Sequence, residues 1–85
     1  MDYPDVEDLK LVEVRILVQI ANGHTYPEIA RILGRKYETV RSDVRRLRNK
    51  LGLHRKALMT RWVVDHRDRI EKHLRYLSSA EEQTQ

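Results

Sequence analysis

The chain has 85 residues, 40% of them hydrophobic, a formal net charge of +4 and no cysteine. That length supports one small core and no deep catalytic cleft, and the lack of thiols excludes a disulfide framework and thiolate chemistry. Apolar runs of about three residues cannot span a bilayer, and the acidic start MDYPDVED lacks the basic region of a signal peptide.

The net charge understates how basic the middle is. Four acids precede residue 9 and two follow residue 79, whereas residues 31–56 carry ten Lys or Arg against only Glu38 and Asp43. Such a cluster suggests a polyanion partner. Residues 1–8 read as an acidic N-terminal tail and residues 80–85 as a flexible C-terminal tail; Met1 reads as the start of a complete chain.

Periodicity predicts helices throughout and no strand. Leu9, Val12, Ile16, Leu17 and Ile20 recur at helical spacing, and the pattern stops at Asn22-Gly23, where glycine supplies a left-handed end. Thr25-Tyr26-Pro27-Glu28 then has the form of a capping box, with proline tolerated because first-turn N–H groups lack partners inside the helix. The second helix buries Ile29, Ala30 and Leu33 and ends at Gly34. A third begins near Lys36 or Tyr37, so that a short helix, a glycine turn and a basic helix form a helix-turn-helix.

In the third helix Val40, Val44, Leu47 and Leu51 fall within about a 60° arc. Glu38, Ser42, Arg45, Arg46 and Asn49 lie broadly opposite, with Arg41 and Arg48 along one edge. The narrow apolar stripe docks the helix, and the outward side suits the major groove of double-stranded DNA, which admits one α-helix. Arg41 and Arg45, one turn apart, can each offer a bidentate fork to guanine, while Ser42 specifies little alone. Lys36, Tyr37, Arg46 and Lys50 sit where phosphate contacts would set position without reading sequence.

The ordered set L9...E13, I16-L17, I20-A21-x-G23, E28-I29-A30, L33-G34, T39-V40-R41, K50-L51-G52-L53 and R55-x-A57 resembles the LuxR/GerE-type helix-turn-helix domain of bacterial transcription regulators. The resemblance implies an all-α, four-helix domain, residues 9–64, whose third helix enters the major groove and whose fourth commonly supports dimerisation. It implies base contacts from the positions of Arg41, Ser42 and Arg45, and phosphate contacts from Thr39 and from the start of the second helix, Tyr26. A regulator of this kind acts in the cytoplasm, at the bacterial nucleoid. Departures stand beside the likeness: Arg35 occupies a usually apolar place, Lys36 replaces a hydroxyl cap, and Asp43 stands where histidine is frequent. An acid on the reading helix repels phosphate, so Asp43 is expected to pair with Arg46 or Lys50, or to hold the helix to its neighbours.

Two features point to a subunit or partner interface. The first helix carries a second apolar stripe, Leu11, Val14 and Val18. The fourth is expected to place Leu58 and Trp62 in the core and to continue through residues 65–79 as an extended C-terminal helix. There Met59, Val63, His66, Ile70, His73, Leu74 and Leu77 form a seam, and Asp65–Arg69, Asp68–Lys72 and Glu71–Arg75 form pairs four residues apart. The stripe and seam together are expected to make a homodimer whose reading helices lie about 34 Å apart, or to receive a regulatory protein or RNA polymerase. The alternative is a tail that folds back to complete the core.

His66 and His73 lack converging ligands for a metal site, no cofactor is expected, and no catalytic motif is found. The favoured function is a stand-alone sequence-specific transcription regulator. T39-V40-R41-S42 followed by R45-R46-L47-R48 also resembles sigma-factor region 4, which would bind promoter DNA and RNA polymerase, and a helical protein-interaction adapter is a third class.

Overall fold

The computed structural model describes residues 5–83, with side chains through Ser79, and all of its regular structure is helical. A single 3-10 turn, Val6–Asp8, precedes α1 (Leu11–Ala21), α2 (Tyr26–Leu33), α3 (Tyr37–Leu51), α4 (Lys56–Asp65) and α5 (Arg67–Gln83). Among the described residues no helix is long and apolar enough to cross a membrane.

The start of α2 follows from its capping box. Thr25 N–H donates to Glu28 Oε1 at 2.8 Å, and Glu28 N–H donates to Thr25 Oγ1 at 3.4 Å. These bonds hold the Glu28 carboxyl below its ordinary value, the Thr25 backbone N–H being the main cause. At the other end Gly34 adopts φ 65°, a left-handed conformation that residues with a Cβ rarely adopt. Arg35 N–H then donates to Ala30 O at 2.9 Å, which closes the turn and sends the chain into α3. The second and third helices thus pack as a helix-turn-helix on α1.

Apolar residues surround α1 rather than lining one face, and the packing follows from that. Helix α1 contacts each of α2, α3, α4 and α5. Ile16 and Leu17 are fully buried, and so is Val14 on the second stripe, with Leu11 and Val18 half-buried. The face expected to await a partner is therefore largely covered within the chain.

What covers it is the C-terminal segment, and here the structure corrects the expected geometry. The last helix does not run on past residue 65. At His66 the backbone leaves helical geometry (φ −115°, ψ 20°), and the His66 ring stacks on Trp62 with centroids 4.4 Å apart while Nδ1 bonds Trp62 O at 2.7 Å. A separate helix, α5, then packs on α1, α4 and the 3-10 turn. Met59, Val63, Ile70 and His73 are buried, and Leu74 and Leu77 are partly buried against the same core, so most of the expected dimer seam lies inside the monomer. An apolar stripe tethered to a chain with an uncovered apolar face finds that face without the entropy loss of bringing two molecules together. Leu58, expected in the core, is instead 48% exposed, and Met59 takes the buried position.

The ion pairs also differ from those expected. None of the three pairs expected along a continuous helix forms; Asp65 pairs back to Arg61 at 3.4 Å, and Arg69 reaches the N-terminal segment. Arg69 forks onto Glu7 with Nη2 at 2.6 Å and Nε at 3.3 Å, and lies 3.6 Å from Asp5. Hydrogen bonding to Arg69 holds the Glu7 carboxyl below its ordinary value and raises Arg69 in turn. Val6 is fully buried and Leu9 nearly so, and His73 Nε2 donates to Leu9 O at 2.8 Å. Residues 5–8 of the expected tail are thus part of the fold, whereas residues 1–4 lie outside the described residues. Likewise the expected C-terminal tail is helical through Gln83, and residues 84–85 lie outside the described set.

Candidate nucleic-acid interface

The third helix meets the sequence expectation most closely. Its Val40, Val44, Leu47 and Leu51 are buried against the rest of the chain, and Arg41, Ser42 and Arg45 are exposed on the other side. An open depression of about 530 Å³ runs along that side, with Tyr26, Arg41, Ser42, Arg45, Arg48 and His54 among its lining residues. Arg41 also lies over the Tyr37 ring, 5.8 Å from its centroid, a weak cation–π arrangement that leaves the guanidinium exposed.

The expected phosphate contacts divide into three kinds. Lys36 and Tyr37 at the start of α3 are exposed, with Thr39 half-buried beside them, and no described carboxylate pairs with Lys36. Arg46 is exposed but bonds Asp43 at 3.0 Å. That acid faces away from the groove, with its side chain only 12% exposed, and also lies 3.4 Å from Arg35. Asp43 therefore pairs with Arg46, as expected, and also ties α3 to the turn before it through Arg35, an unforeseen second partner.

Lys50, expected among the phosphate contacts, is engaged within the chain. Its Nζ lies 3.0 Å from Glu13 Oε1 and 3.3 Å from Asp8 O, so it links the end of α3 to α1 and to the N-terminal turn. Glu13 Oε1 also accepts Lys10 N–H at 2.8 Å, an interaction that caps α1. A wheel places Lys50 on a flank; only the tertiary fold reveals a carboxylate waiting there.

Sequence reasoning also missed a cluster beside the groove. Arg48 was placed along one edge of the third helix, but it is half-buried, and its Nη2 donates to Tyr26 Oη at 2.7 Å. The ammonium of Lys56, from the first turn of α4, lies 4.3 Å from the Tyr26 ring centroid. The spacing Arg41, Arg45, Arg48 marks one helical row and could have flagged Arg48, but Lys56 has no such signal because it belongs to another helix.

Sorting by charge is the result. Of the ten cations in residues 31–56, Arg35, Arg46 and Lys50 are in ion pairs, whereas Arg31, Lys36, Arg41, Arg45, Arg48, Arg55 and Lys56 pair with no described carboxylate. The acids Glu13 and Asp43 neutralise the back of the helix, while the front carries Arg41, Arg45 and Arg48 against the single acid Glu38 and stays net positive. Among the described residues there is also no group of His, Asp or Glu able to hold a metal ion.

A short helix in a left-handed glycine turn, followed by a helix that is dry behind and cationic in front, defines a helix-turn-helix domain of the DNA-binding class. The sequence model of the family described as bacterial regulatory proteins, luxR family, matches residues 12–63. That is more than half of the chain, and the chain belongs to this family. Its function at the coarse level is accordingly that of a DNA-binding transcription regulator. No curated protein and no solved structure matches the chain. The matched segment ends at residue 63, within the last turn of α4, so the 3-10 turn and α5 lie outside it.

Proposed function

We propose that the chain is a sequence-specific regulator that lays α3 in the DNA major groove and acts as a dimer in the bacterial cytoplasm. The observation that carries the reading is the exposed row of Arg41, Ser42 and Arg45 on a helix whose other side is locked into the core. A groove about 12 Å wide takes one helix, and arginine forks match guanine O6 and N7. Lys36, Tyr37 and Thr39 then face the flanking phosphates, which position the helix.

The dimer surface moves from the buried seam to the outward side of α4, the helix on which the resemblance places pairing. Leu58 is 48% exposed and Val64 is 52% exposed there, and pairing through this side is required to set the two reading helices one DNA turn apart.

Selection of binding duplexes from a random pool tests the reading. The wild-type chain enriches a two-fold related sequence, and Arg45→Ala reduces the preference for it by roughly 5- to 150-fold, the equivalent of about 1–3 kcal/mol. Lys36→Ala weakens selected and random duplexes alike. Equal losses on both duplexes for Arg45→Ala, with no enriched sequence for the wild type, defeat the proposal.

A further inference from the structure

Tyr26, Arg48 and Lys56 come from α2, α3 and α4 and meet around one phenol ring. Arg48 Nη2 donates to the phenol oxygen at 2.7 Å, and Lys56 Nζ lies over the ring at 4.3 Å from its centroid. The phenol oxygen accepts from a cation, so its own O–H proton is polarised and directed away from that cation. No described carboxylate pairs with either cation. Two positive charges therefore flank a hydroxyl donor beside the groove that α3 presents.

We infer that this trio seats a single phosphodiester of the DNA backbone, a reading that rests on the proposed docking of α3. The phosphate accepts the Tyr26 O–H, and Arg48 and Lys56 neutralise its charge. The site goes beyond a tyrosine contact at the start of α2, because its charge comes from the far half of α3 and from α4. By spacing alone Arg48 would be a third base reader beyond Arg41 and Arg45. Its bond to Tyr26 turns the guanidinium toward the strand instead, so one phosphate held by three helices fixes how far along the groove Arg41 and Arg45 sit.

Binding of a wild-type-selected duplex and a random duplex across a salt series tests the site. The Arg48→Gln, Lys56→Gln double variant is expected to lower the slope of log K against log salt by about 0.9, one phosphate's worth, on both duplexes. Tyr26→Phe, which keeps the ring beneath Lys56, weakens both duplexes several-fold at an unchanged slope. With methylphosphonates replacing single phosphates of the selected duplex, one position per half-site weakens the wild type and leaves the double variant unaffected. An unchanged slope, or a loss confined to the selected duplex, overturns the inference. Should the double variant fail to show helical circular dichroism, Lys56→Gln alone decides, since Lys56 is exposed; affinity equal to wild type on both duplexes then counts against the site. Failure of the base-reading proposal looks different, because a wild type without sequence preference still shows the phosphate slope.

Discussion

Lys50→Ala separates a strut from a DNA contact. In the wild type the ammonium sits 3.0 Å from Glu13 Oε1, with the two side chains 30% and 15% exposed, and 3.3 Å from the Asp8 carbonyl. Exposed ion pairs contribute about 0.2–1 kcal/mol, and removing one partner of a fully buried pair costs about 3–5 kcal/mol. This pair lies between those limits and nearer the lower one, because Glu13 keeps the Lys10 N–H at 2.8 Å and is not left without a partner. The expected loss is about 1 kcal/mol, which lowers the thermal midpoint of a domain this size by about 4–8 °C. Thermal unfolding followed by circular dichroism measures it. Glu13→Gln should give a similar loss, and the double variant little more than either alone. The DNA-binding salt slope should stay at its wild-type value. A Lys50→Ala protein that melts like wild type while its salt slope falls by about 0.9 refutes the reasoning and returns Lys50 to the phosphate contacts.

Val6→Ala removes two buried methyl groups from beneath α5, and urea unfolding should show a loss of about 2 kcal/mol; an unchanged midpoint means the N-terminal turn is not docked. Glu7, held below its ordinary value of 4.5 by Arg69, binds a proton less readily folded than unfolded. Its contribution is therefore complete above about pH 4.5 and is lost as pH falls through the folded value. Glu7→Gln should be less stable than wild type at neutral pH and converge with it in acid, and parallel stability curves at all pH values contradict the pairing. The double variant Leu58→Glu, Val64→Glu should sediment as a folded monomer on a two-half-site duplex, whereas an undiminished dimer excludes the outward side of α4.

The third helix was legible because its information is local. Val40, Val44, Leu47 and Leu51 mark one side by spacing alone, and with those directions occupied Arg41, Ser42 and Arg45 had to point outward, as they do. The capping box at Thr25 and the glycine turn at Gly34 involve atoms within five residues of one another and were equally visible. The engagement of Lys50 was invisible for the opposite reason: its partner Glu13 is 37 residues away, and side-chain direction on a helix says nothing about what another helix brings there. The same applies to Lys56, whose ring partner Tyr26 lies two elements earlier.

The apolar seam shows where the division falls. The order of residues determined that Met59, Val63, Ile70 and His73 must be kept from water, since hydrophobicity and period are properties of the chain. It did not determine which surface would cover them, because a second copy of the molecule and the chain's own α1 offer the same chemistry. The bend at His66 decided in favour of α1, and burial of Val6 and the Arg69–Glu7 fork close the same gap from the other terminus. Sequence thus set which side of each helix is dry, and only tertiary packing set what lies against it, because contacts between distant segments depend on how far and in which direction each connecting turn carries the chain.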